Sequence, residues 1–193
     1  MTYLQERIVK DGKVFPNNVL KVDSFMNHQI DPTIMKELAQ DFYNRFKDEA
    51  ITKVLTIEAS GIAPAILTAT LFNVPMLFAK KTQPSTLANQ ERYEVDIHSY
   101  TKNVTSRVMI SKQYLSSDDV VLIIDDFLAN GEAALGLVGL VRQAGARVAG
   151  VGICIEKSFQ AGRAKLEAAD VPVHSVCRIA SLAEGQITFL TDN

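Results

Sequence analysis

The chain has 193 residues, enough for one domain with a buried core and little to spare for a second. Hydrophobic residues make up 47% and charged residues 22%, and the net charge of −2 speaks against a nucleic-acid binder, which needs a basic excess to meet phosphates. The opening MTYLQERIVKDGK lacks an apolar core of signal-peptide length, and no apolar run approaches the roughly 18 residues of a membrane span. The expectation is therefore a soluble, cytoplasmic protein with neither nucleic acid nor membrane as partner.

In chain order, the segment to about Gly12 has a helical pattern, and Leu20, Val22 and Phe25 then alternate with polar residues as in an extended stretch. A helix opens at DPTIMKELAQDFYNRF, with Asp31 as N-cap and Pro32 at the first helical position. Its buried stripe is Ile34, Leu38, Phe42 and Phe46. Strands are expected at 54–57, 75–78, 120–124 and 148–155, with helices at 64–72 and 133–144, the latter closed by Gly145, and a further helix in SFQAGRAKLEAA. The stretches 173–176 and 187–190 add a strand and a short tail, while 80–107 reads as polar and without periodicity.

Apolar strands alternating with helices imply an α/β fold: a single domain whose parallel, twisted sheet is flanked by helices. Ligands in such sheets bind beyond the carboxyl ends of the strands. Cys154 and Cys177 sit in apolar runs as small buried hydrophobes, and with no CxxC or His/Cys cluster a zinc site is not expected. His28, His98 and His174 show no spacing that suggests catalysis.

The most informative stretch is VVLIIDDFLANGEAALGL. A buried strand runs into Asp125 and Asp126, a short loop with one glycine follows, and a helix begins near Ala133. Adjacent carboxylates at a buried strand end are costly to desolvate unless they meet hydroxyls, cations or solvent. The loop then presents backbone N–H groups at a helix N-terminus, where hydrogen bonding and the helix dipole both favour a phosphate. Acids for a ribose diol beside amides for a 5′-phosphate describe a ribose-phosphate site; a solvated strand end followed by a capped helix is the alternative. A second strand–turn–helix, TIEASGIAP, lies upstream, and adjacent basic residues, Lys80 and Lys81, follow another strand.

These segments resemble the type I phosphoribosyltransferases. The resemblance implies that Asp125 and Asp126 contact the ribose hydroxyls of phosphoribosyl pyrophosphate and that Ala129, Asn130, Gly131, Glu132 and Ala133 wrap its 5′-phosphate. It further implies that Glu58, Ala59, Ser60, Gly61 and Ile62 form the pyrophosphate loop, joined by Lys80 and Lys81. The commoner family loop carries hydroxyl residues near Asn130 and Ala133 and a glycine near Glu132, so phosphate binding here rests more on backbone amides and the Asn130 side chain. The polar stretch Gln83–Lys102, with Thr86, Asn89, Gln90, Glu91 and Arg92 near its tip, resembles the hood that family members close over the reaction.

Within the family, VLKVDSFMNHQIDP, ANGEA and IEKSFQAGR together resemble the bacterial branch that acts on xanthine. That resemblance implies transfer of ribose 5-phosphate from phosphoribosyl pyrophosphate to xanthine in purine salvage, Mg²⁺ held mainly by the substrate, and a homodimer. It also implies one domain over 1–193, with a core at about 36–157 and a hood from about 1–35 and 158–193. Leu20, Asn27 and Lys157 would then contact the base, a lysine donating to the 6-oxo group and an amide to the 2-oxo group. Read alone, Leu20 is a core residue, Asn27 a turn residue and Lys157 a solvated helix-start residue, while Phe159 reads as core, with stacking on a base as the alternative. A transferase for guanine or hypoxanthine, a non-catalytic sensor of phosphoribosyl pyrophosphate, and an unrelated nucleotide-binding α/β protein remain open.

Overall fold

The structure is a computed structural model that describes residues 1–82, 91–99 and 104–190. Helix α1, Tyr3–Asp11, starts at a capping box in which the Thr2 hydroxyl accepts from the Gln5 N–H while the Gln5 side chain accepts from the Thr2 N–H. A small antiparallel hairpin follows, β1 (Lys13–Phe15) and β2 (Val19–Lys21), and then a single π-helical turn, Asp23–Asn27, where further extended chain was expected. Phe25 and Met26, both fully buried, pull the chain inward there. Helix α2, Pro32–Phe46, begins as the sequence suggests: Asp31 accepts from the Thr33 N–H at 2.9 Å, and the whole expected stripe is buried.

The main sheet takes its strands from β3 (Lys53–Ile57), β4 (Met76–Ala79), β7 (Val120–Leu128), β8 (Arg147–Lys157), β9 (Val173–Ser181) and β10 (Thr188–Phe189). Their order across the sheet is β10-β9-β8-β7-β3-β4, parallel except for β10, which runs antiparallel along β9. Helix α3 (Ile62–Phe72) connects β3 outward to β4; helix α4 (Glu132–Gln143) connects β7 outward to β8, and α5 (Gly162–Ala168) connects β8 to β9.

Two apolar layers cover the sheet. α2 and α3 pack on one face around Phe42, Leu38, Ala65, Leu122 and Ile124. α4 and α5 pack on the other around Leu137, Leu140, Leu166, Ile123 and Val151. The chain therefore leaves β3 toward one face and β7 toward the other, which opens a crevice between two neighbouring strands.

Two expectations need correction. The stretch 80–107 is not an aperiodic loop throughout: β5 (Arg92–Ser99) and β6 (Val104–Ser111) pair in antiparallel register. Tyr93, Val95 and Ile97 alternate with polar residues and pack on the α4 side of the core. Of the proposed hood tip, Thr86, Asn89 and Gln90 lie outside the described residues, whereas Arg92 opens β5. Second, β7 does not stop before its acids but continues through Asp125 and Asp126, because β8 remains alongside, pairing Asp125 with Ile153 and Leu128 with Glu156. Phe159 is 38% exposed rather than core. Among the described residues, no helix is long and apolar enough to cross a membrane.

Candidate functional site

A cleft of about 370 Å³ opens at the carboxyl ends of β3 and β7, where the strand order reverses. The sequence-derived residues Glu58, Ala59, Ser60, Gly61, Lys81, Asp125, Asp126, Ala129, Asn130, Gly131, Glu132 and Ala133 all line it. Ile62, at the start of α3, and Lys80 fall outside its lining. Lys80 pairs through its backbone with Met109, and its ammonium lies 5.6 Å from the Phe78 ring centroid. Leu20, Asn27 and Lys157 also lie outside the cleft lining.

Asp125 is the electrostatic centre of the cleft. It is 4% exposed, and one oxygen accepts from the Asp126 N–H at 3.0 Å. Burial pushes its carboxyl well above the ordinary range, the neighbouring Asp126 charge adds to the rise, and Lys81 opposes it. An acid in that state gains from any hydroxyl or cation that enters. Gly61 stands very close: a Cβ there would lie 2.1 Å from the Thr56 hydroxyl oxygen and 3.2 Å from an Asp125 oxygen. A glycine thus lets the loop after β3 lie against the acid. The same loop is tied to the end of β4, since Glu58 accepts from the Lys81 N–H at 2.6 Å and its own N–H donates to the Ala79 carbonyl at 3.2 Å.

The loop after β7 leads into an uncapped helix start. Gly131 has φ of +87°, a conformation that favours glycine, and it turns the chain into α4. Among the described residues no side chain caps that helix, and its first intrahelical bond runs from the Leu135 N–H to the Gly131 carbonyl. The N–H groups of 131–134 are therefore left for a ligand. The loop leans on α5: the Gly162 N–H donates to the Ala129 carbonyl at 3.0 Å, and the Glu132 carboxylate meets the Lys165 ammonium at 2.6 Å. A Cβ on Gly131 would come within 2.9 Å of the Gly162 Cα.

At the end of β8, Lys157 donates to the Asn18 carbonyl at 2.8 Å and lies 5.8 Å from the Phe127 ring centroid. Burial lowers its pKa. The bond ties the N-terminal hairpin to the main sheet, bringing Lys157 near the segment that holds the buried Leu20; Asn27, beyond it, is exposed. Phe127 lines the cleft and also meets Lys157, so one ring borders both regions.

Sequence reasoning missed the wall formed by Ile97, His98, Ser106 and Val108 of the β5–β6 hairpin. The alternation from Tyr93 to Ile97 is the signal that could have revealed it. Cys154 and Cys177 are fully buried, and burial holds the Cys177 thiol at about 12, so it carries no reactive thiolate. Among the described residues no three His, Cys, Asp or Glu side chains come together as a metal site.

Residues 22–178 match the phosphoribosyl transferase domain. The chain is 61% identical over 190 residues to a xanthine phosphoribosyltransferase of Macrococcus caseolyticus, covering 98% of this chain and 97% of that one. It is 54% identical over 192 residues to a protein of the same name from Staphylococcus aureus, spanning the whole of both. Among solved structures, an adenine phosphoribosyltransferase from Rhodothermus marinus superposes with a TM-score of 0.73 at 22% identity, covering 91% of this chain and 98% of that one. One from Leishmania tarentolae gives 0.75 at 18%, covering 92% and 88%. At such identity these two speak for the fold alone.

Proposed function

The chain belongs to the phosphoribosyl transferase family, and on that premise we propose that it transfers ribose 5-phosphate from phosphoribosyl pyrophosphate to xanthine, yielding xanthosine 5′-monophosphate and pyrophosphate. The observation that carries this reading is the buried Asp125–Asp126 pair beside an uncapped helix N-terminus in one cleft. Asp125 and Asp126 accept from the ribose hydroxyls, and the amides of 131–134, with the Asn130 side chain, take the 5′-phosphate. Ala59, Ser60 and Gly61, with Glu58, Ile62, Lys80 and Lys81 around them, receive the pyrophosphate. The base lies between Leu20 and Asn27 on one side and Lys157 on the other.

The bond from the ribosyl carbon to pyrophosphate breaks, and its electrons leave with the diphosphate. A bond from a purine nitrogen forms, and that nitrogen's proton passes to solvent. Positive charge grows on the ribosyl carbon in between, beside the Asp125–Asp126 pair, so the protein acts by positioning and electrostatics. The carboxylate oxygens of Asp125 and Asp126 in the cleft are hard donors of the kind Mg²⁺ prefers, and they would face an ion carried mainly on the substrate's own oxygens. Such an ion would offset charge on the leaving diphosphate.

Residues 1–193 act as one domain, with a core at about 36–157 and a hood from 1–35 and 158–193. The working form is a cytoplasmic homodimer, a reading that rests on membership of the family.

Assay with phosphoribosyl pyrophosphate against xanthine, guanine, hypoxanthine and adenine tests the proposal. Xanthine should give the highest kcat/KM, and adenine, whose amine meets the Lys157 ammonium, the lowest. A different preferred base would reassign the specificity, and no product with any base would leave a sensor of phosphoribosyl pyrophosphate.

A further inference from the structure

The phosphate-binding turn contains an acid of its own. Glu132 is the first residue of α4 and lines the cleft, among the free N–H groups of 131–134. In the empty protein an acid in a first helical turn is favourable, because it complements the helix dipole. Once a phosphate dianion sits on those amides, the same carboxylate becomes a like charge at close range. Lys165 answers it: its ammonium reaches across from α5 to a Glu132 carboxylate oxygen at 2.6 Å. Thirty-three residues separate the two in the chain, and the bond from the Gly162 N–H to the Ala129 carbonyl holds α5 against the loop at the register this contact needs.

We propose that Lys165 is a positioning residue for the 5′-phosphate: it neutralises Glu132 and holds that carboxylate aside, so that the loop presents amides rather than a net negative charge. The inference rests on the transferase reading and names a residue that acts through Glu132, not on the substrate. Lys165 is part-exposed, as is its partner, so water screens the pair and the effect should be moderate.

Lys165→Met keeps the aliphatic stem and removes the charge. It should raise the KM for phosphoribosyl pyrophosphate about three- to tenfold, leave kcat and the KM for the base within about twofold, and lose part of its effect in high salt. Adding Glu132→Gln to that variant should return the KM to within about twofold of wild type, since the uncompensated charge is then gone. A merely structural ion pair would show its loss in melting temperature and leave the KM for phosphoribosyl pyrophosphate unmoved. An unchanged KM in Lys165→Met, with the protein folded by melting temperature, overturns the proposal. So does a double variant that stays impaired, which would mean that the ammonium touches the phosphate itself. Calorimetric binding of ribose 5-phosphate to the same variants should follow the same order without needing turnover. Wild-type enzyme without activity on any purine would count against the transferase reading, whereas active wild type with an indifferent Lys165→Met counts against this inference alone.

Discussion

Two buried acids in the carboxyl-terminal halves of neighbouring strands meet opposite fates. Glu156, at the end of β8, is 1% exposed and is completed by the protein. It accepts from Ser158 at 2.7 Å, Ser175 at 2.5 Å and the Arg163 guanidinium at 2.6 Å. Burial alone would raise its carboxyl, but these donors outweigh it and bring the pKa down to about 2. Asp125, on β7, is almost as buried, receives a backbone N–H and another carboxyl, and is pushed up. The first is a finished network that fastens α5 to the sheet. The second is unfinished, the mark of an acid kept for something that arrives.

The largest expected effect tests the unfinished acid. Asp125→Asn combined with Asp126→Asn should lower kcat/KM by about a thousandfold while leaving the melting temperature of the empty protein unchanged or higher. A fully active double variant would remove the acids from the mechanism. Next comes the finished one: Glu156→Gln strands the Arg163 guanidinium and should cost about 2–3 kcal/mol of stability, read by denaturant unfolding. No loss of stability would mean that the network is ornamental.

Stability against pH sharpens the contrast, because the two signs differ. Glu156 is depressed, so its contribution is present above its unfolded pKa and is lost as pH falls toward about 2. Asp125 is raised, so its contribution is present below the unfolded value and is lost as pH rises through the folded one. The stability of Asp125→Asn relative to wild type should therefore climb with pH from about 4 upward, and that of Glu156→Gln should fall over about pH 2 to 5. Parallel curves for the two variants would end the comparison.

The smallest effect concerns the base. Lys157→Met should lower kcat/KM for xanthine about tenfold or more without changing the KM for phosphoribosyl pyrophosphate. A rise in that KM instead would place Lys157 with the phosphates.

Much of this was legible because the signals are local. Asp31 followed by Pro32, the stripe from Ile34 to Phe46, and the run from Val120 through Asp126 to Gly131 each declare an element within a few residues. All the residues named in the two loops except Ile62 converge on one cleft because parallel strands deliver their carboxyl ends to the same side of a sheet. What escaped depends on partners far along the chain. β7 runs on past Ile124 only because β8 lies beside it. The β5–β6 hairpin hid behind its charged alternate residues, and it packs where Gly136 leaves room: a Cβ there would lie 2.5 Å from Ile97. The pairing of Glu156 with Arg163 and of Glu132 with Lys165 needs α5 in place, and spacing alone does not predict it.

One contact sets a tolerance for the whole molecule. A Cβ added to Gly162 would stand 2.4 Å from the Ala129 carbonyl oxygen and 3.0 Å from the Gly131 nitrogen. Here two main chains bear directly on each other, and the tip of the Leu128 side chain shares the contact, at 2.8 Å from the same added Cβ. Any displacement of the turn after β7 toward the helix must therefore carry the helix along with it. The turn borrows its stiffness from that bearing surface, and even one methyl group inserted there would wedge the joint apart.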